Sequence, residues 1–76
     1  MKHGEVVFFD RRRAYGFIRP AFESLSEDTF FHVNEWKDGK YPETGQAVTY
    51  SLGLFRGKEV ARDVKLAEIG GSDERT

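Results

Sequence analysis

Tyr15, Phe17, Phe30 and His32 have the types and spacing that suit one chemistry, the stacking of flat rings. Tyr15 and Phe17 flank Gly16, and Phe30 and His32 flank Phe31. Alternate residues of a pleated strand share a face. Each pair would therefore stand on one side of its strand, with Gly16, Ile18 and Phe31 on the other. If the two segments are neighbours and Ile18 and Phe31 point into a core, four rings face solvent side by side. A nucleobase offers a π-face to any such ring, and one base on one ring is worth about 1–3 kcal/mol. His32 adds a hydrogen-bond donor to its ring. The surface reads as one for unpaired nucleobases, with Arg11, Arg12 and above all Arg13 beside it for the phosphate backbone.

Other chemistries lack their residues. There is no cysteine, so no thiolate metal site and no disulfide framework. His3 is the only other histidine, which is too little for a metal centre. No nucleophile stands with a base, no glycine-rich phosphate loop is present, and Ser24 and Ser26 lie in an acidic loop without a histidine. Neither an enzyme nor a cofactor is expected. The net charge of −1 hides an uneven distribution. Residues 1–19 hold five basic and two acidic side chains, and residues 20–47 hold two basic and six acidic ones. The positive end coincides with the aromatic segment. A chain this weakly charged should make few phosphate contacts and show a shallow salt dependence.

The elements that must position these rings are short strands. Residues 3–10, 14–19, 28–33, 46–53 and 58–66 are rich in β-branched and aromatic side chains, and turn residues separate them. Asp10-Arg11-Arg12-Arg13 ends the first, Pro20 the second, and Arg56-Gly57 joins the last two. The connection 34–45 contains Gly39, Pro42 and Gly45 and has room for one helical turn at most. Alternation places Val48, Tyr50 and Leu52 on one face of the fourth strand, and the fifth carries Val60, Val64 and Leu66. Five strands are too few for a sandwich, and an open sheet of that size would leave its apolar face wet. The expected fold is all-β: a small five-stranded antiparallel barrel of the oligonucleotide-binding, Greek-key type, whose ligand face lies on strands two and three. Residues 1–68 form the domain, and 69–76 read as a disordered polar tail. No apolar run is long enough to span a bilayer, and the expected setting is the cytoplasm.

Four segments carry a resemblance. Gly4-Glu5-Val6-Val7-Phe8-Phe9, Arg13-Ala14-Tyr15-Gly16-Phe17-Ile18, Asp28-Thr29-Phe30-Phe31-His32-Val33 and Gly45-Gln46-Ala47-Val48-Thr49-Tyr50 closely resemble the cold-shock domain family, over residues 3 to about 67. The second and third segments are similar to its RNP1 and RNP2 motifs. The resemblance implies a five-stranded barrel that binds single-stranded DNA and RNA by stacking and acts as an RNA chaperone, with pyrimidine-rich sequence preferred. It places Phe8 where the family has an exposed Trp, matches Tyr15, Phe17, Phe30 and His32 to stacking residues, and matches Arg13 and Arg56 to basic ones. Phe9, adjacent to Phe8, is divided between core and binding rim. Ala14 stands at a family Gly, Val7 at a Lys, and Val33 at a stacking aromatic. Trp36 or Tyr41 would supply that missing ring, with Trp36 preferred. Phe22, Tyr50 and Phe55 read as packing residues. The partner expected is single-stranded RNA or DNA bound by a monomer, and the alternative is a protein-interaction barrel that uses the same aromatic face.

Overall fold

The computed structural model describes residues 1–21 and 27–67. The expected tail, Phe22 and most of the acidic loop lie outside the described residues. Among the described residues five strands are present: β1 (Lys2–Asp10), β2 (Tyr15–Pro20), β3 (Thr29–His32), β4 (Ala47–Phe55) and β5 (Lys58–Leu66). A 3-10 turn, Val33–Glu35, opens the long connection between β3 and β4. The strands close into a barrel in the order β1-β2-β3-β5-β4. β1, β2 and β3 form a meander, β4 returns to pair with β1, and β5 fills the gap between β3 and β4. The expected antiparallel barrel holds with one exception: β3 and β5 run parallel where they meet, at Phe30 and Val60.

Local chemistry sets the turns. The Asp10 carboxylate accepts the backbone N–H of Arg12 (2.9 Å) and of Arg13 (3.2 Å), and the Asp10 carbonyl accepts the N–H of Ala14 (2.7 Å). An aspartate folding the backbone ahead of it in this way is a common turn initiator. The turn leaves Ala14 at φ 64, in the left-handed region that favours glycine. Ala14→Gly should therefore stabilise the domain by about 0.5–1 kcal/mol, after the greater freedom of glycine in the unfolded chain is set against the relieved strain. Thermal denaturation checks this. The melting temperature should rise by about 2–8 °C, and a fall would show that the alanine is not strained. The β4–β5 hairpin closes through Arg56 and Gly57, both with positive φ, as the two-residue type I′ turn requires.

The core consists of Val6, Ile18, Phe31, Val48, Tyr50, Ala61 and Val64, all essentially inaccessible, with Phe9 and Trp36 packed against it. Two bulges decide which residues join it. In β1 the pairing runs Val6 to Ile18 and then Phe8 to Phe17, so Val7 is an extra residue that reverses the alternation. Val6 therefore points inward and Phe8 outward although they are two apart. In β5, Thr49 pairs with Lys65 and Ser51 with Arg62, and the surplus residue lies at Asp63, whose φ is 53. That shift turns both Ala61 and Val64 inward. Of the other apolar residues of this strand, Val60 is half-buried and Leu66 exposed. Leu52 is likewise not a core residue. β1 stops pairing with β4 at the Lys2–Tyr50 position, so β4 beyond Tyr50 leaves the barrel.

The connection after β3 is tied to β5 by its acidic residues. Glu35 Oε1 accepts the N–H of Asp63 at the bulge (3.0 Å), and Asp38 Oδ2 accepts the N–H of Leu66 (2.6 Å). The N–H of Lys37 donates to the Val64 carbonyl (2.8 Å). These bonds satisfy backbone groups that the bulge would otherwise leave unpaired.

Candidate nucleic-acid interface

Register places the rings. Phe8 lies opposite Phe17, Phe17 opposite Phe30, and Phe30 opposite Val60. Directly paired residues share a face, so one row crosses four strands on the outside of the barrel. The row beside it runs Asp10, Tyr15, His32. Gly16 and Phe31 are paired on the inner side.

The rings form one contiguous patch. Phe8 is 5.8 Å from Tyr15 and 6.1 Å from Phe17, centroid to centroid. Tyr15 stacks on Phe30 at 5.6 Å with 23° between planes, and meets Phe17 edge-on at 5.8 Å. Phe17 and Phe30 are 6.0 Å apart at 75°. Phe8 is the most exposed at 42%, and Tyr15, Phe17 and Phe30 are half-buried. They are half-buried because they cover each other, and such pairs add about 0.5–1.5 kcal/mol each beyond area burial. His32 is exposed at the edge of the patch, and its Nδ1 accepts the N–H of Asn34 (3.1 Å). With Nδ1 engaged as acceptor, the neutral ring carries its proton on Nε2, leaving that N–H to donate outward.

The remaining expected residues sit elsewhere. Phe9 points to the opposite side from Phe8; it is half-buried, lies nearly parallel to Phe31 at 6.0 Å and packs against the core. Trp36 also packs on Phe31 (6.4 Å), bridges Val64 and donates its indole N–H to the Lys40 carbonyl. It is not brought to the ring patch. Tyr41 is half-exposed, 6.0 Å from Phe9, with the Arg11 guanidinium 4.4 Å over its ring. Val33 begins the 3-10 turn and leaves no ring there. Arg13 is exposed in the β1–β2 turn, its Nε 3.9 Å from Asp10. Arg56 caps the β4–β5 hairpin.

Two concavities border Phe30. A groove of about 940 Å³ is lined by Phe17, Phe30, Leu52, Phe55 and Val60, with Lys2, Lys58, Asp28 and Glu59 among its charged groups. A smaller one, about 200 Å³, lies between Phe30, His32, Leu54, Phe55 and Arg62. Both share Phe55, which is 60% exposed and is not the packing residue the sequence suggested. The signal that could have found it is its position one residue before a two-residue hairpin turn, where a strand has left its barrel.

Residues 2–67 match the family described as the 'Cold-shock' DNA-binding domain. The chain belongs to this family. Cold-shock domains are nucleic-acid-binding modules rather than catalysts, and the match spans nearly all the described residues. Among curated protein sequences none matches the chain. Among solved structures, this cold-shock domain resembles drosophila Unr CSD456 with a TM-score of 0.74 at 16% identity. The likeness covers 95% of this chain and 29% of that one, and at that identity it concerns the fold.

Proposed function

We propose that this cold-shock domain binds single-stranded RNA or DNA by stacking unpaired bases on Phe8, Tyr15, Phe17, Phe30 and His32, and acts as an RNA chaperone in the cytoplasm. The observation that carries the reading is the contiguous ring patch on the outer face of β1, β2 and β3, with neighbouring centroids 5.6–6.1 Å apart. A patch already assembled in the free protein spares a ligand the entropy of ordering it. Binding unpaired bases withdraws them from pairing, so secondary structure is destabilised by mass action and no nucleotide hydrolysis is needed. Arg13 and Arg56 hold the phosphate backbone from either end. Pyrimidine-rich sequence is the preference that the family suggests, and one domain binds as a monomer.

Calorimetric titration with a seven-nucleotide oligothymidine and its RNA counterpart tests this. Saturable binding of micromolar strength or tighter is expected. With two to three phosphate contacts, the salt dependence should have a slope near −2 on logarithmic axes. Failure to bind either strand would overturn the reading and favour a protein partner for the same face.

A further inference from the structure

We infer that Phe55, with Lys58 opposite it and Arg56 beside it, is a further base-stacking position that extends the site across the barrel onto the β4–β5 hairpin. The inference rests on the nucleic-acid reading and lengthens the site by about one nucleotide. The row of outward residues does not stop at Phe30. Phe30 pairs with Val60, and Val60 with Gly53. Two residues farther along β4 on the same face stands Phe55, paired with Lys58. Its register therefore puts it on the same face as Phe17 and Phe30, and both concavities beside Phe30 have Phe55 in their walls.

The geometry between them suits a flat guest. At Gly53 no side chain rises from β4, and the space where its Cβ would stand is crossed by the Arg62 chain, whose Nε lies 3.7 Å from Glu35. The groove has two aromatic walls, Phe30 and Phe55, and Leu52 and Val60 make it apolar. The ring is held by a closed two-residue turn, so little freedom is lost when a base settles on it. The Arg56 guanidinium is 5.3 Å from the Phe55 centroid, which leaves a cation at the ring for the phosphate that accompanies a stacked base.

The charges of the groove indicate what kind of energy binds there. Lys2 and Lys58 are met by Glu27, Asp28 and Glu59, and Arg56 brings the surroundings to near balance. Such a rim neither gathers nor repels polyanions strongly. Stacking supplies the affinity at this position, so its contribution should be nearly independent of salt, unlike that of Arg13. A basic protein segment would have little to gain from a balanced rim. An unpaired nucleotide needs the two rings and one cation that are present.

The test measures dissociation constants of the wild type, Phe55→Ala, Phe55→Trp and Phe30→Ala against mixed-sequence single strands of five to nine nucleotides, at low and moderate salt. For the wild type, affinity should climb to a plateau one nucleotide longer than for Phe55→Ala. On the long strands Phe55→Ala should lose roughly 5- to 150-fold at both salt concentrations, and Phe55→Trp should retain or exceed wild-type affinity. Thermal melts and sedimentation accompany each variant. If Phe30→Ala weakens binding while a folded Phe55→Ala matches the wild type at every length, the inference is overturned and the broader reading stands. If the wild type binds no strand, both fall. If Phe55→Ala abolishes a dimer of the wild type without changing oligonucleotide affinity, Phe55 belongs to a contact between copies, and the inference is likewise overturned.

Discussion

Phe30→Ala should weaken binding of a heptameric single strand by about 1–3 kcal/mol, the scale of one base on one ring, and it should be the most damaging single change on the patch. Phe30 stacks on Tyr15, meets Phe17 edge-on and forms a wall of both concavities. Of the rings of the patch it alone lines both concavities. Because it is half-buried among those rings, its removal should also lower stability by about 1–2 kcal/mol through lost ring contacts. A ring standing free in solvent would cost almost nothing in stability. Calorimetry on the folded variant separates the two effects. Phe9→Ala provides the contrast: half-buried and stacked on Phe31 away from the patch, it should lower stability by about 2 kcal/mol and reduce affinity much less than Phe30→Ala. Equal dissociation constants for wild type and Phe30→Ala would remove stacking from the account. Trp36 fluorescence is suited to following unfolding in these variants, since its ring lies against the core residue Phe31.

Gly16→Ala is expected to destabilise the domain by about 3 kcal/mol. A Cβ there would collide with the Phe8 carbonyl oxygen and stand 2.9 Å from Phe31 Cε1. One obstacle is backbone and the other is a fully buried ring, so neither can move away cheaply. Overpacking in a close-packed interior typically costs 1–3 kcal/mol and sometimes more, and the backbone contact puts this case at the upper end. For a domain of this size about 3 kcal/mol corresponds to a fall of about 12–24 °C in melting temperature. Any relief would come from prying β1 from β2, which would separate Phe8 from Tyr15 and Phe17. Oligonucleotide affinity should therefore fall even at temperatures where the variant is folded. A melt within a few degrees of the wild type would show that the two strands approach less closely than the register requires.

The legibility of the site follows from where the strands are regular. β2 and the short β3 pair without interruption, so Tyr15, Phe17 and Phe30 could be assigned a face, and Ile18 and Phe31 the opposite one, from alternation within the chain. β1 was different. Strict alternation from buried Val6 would turn Phe8 inward, and only the extra residue at Val7 brings it out beside Phe17. The resemblance to a family indicated the exposed position of Phe8, which the pattern of the residues alone did not. In β5 the same effect at Asp63 puts Ala61 and Val64 in the core and leaves Val60 and Leu66 out of it. A bulge is a property of two paired strands, so neither strand's sequence carries it alone.

Ring-bearing residues in the connections were harder still. Trp36 and Tyr41 follow one another within six positions and have no strand period to orient them. Trp36 goes inward because Lys37 and Trp36 both dock on Val64 of β5, a contact between residues 28 positions apart. Phe55 looked like packing because a strand of apolar residues usually faces a core. β4, however, outruns its partner β1 by five residues, and a hairpin beyond the barrel has no core to face.

By itself, then, the sequence determined the number of strands, the turn at Asp10, the place of the turn at Arg56-Gly57 and the shared face of Tyr15, Phe17, Phe30 and His32. Each of these depends on neighbours a few positions away, through side-chain alternation and backbone preferences that short segments carry. Tertiary structure alone decided the parallel closure of β3 on β5, the phase of β1 and β5, the packing of Phe9 and Trp36 against the core, and the alignment of Phe55 with the hairpin side of the platform. Those depend on which strand lies beside which, and on how far each extends, and the closed barrel settles both by requiring every backbone row to meet its partner around the circumference.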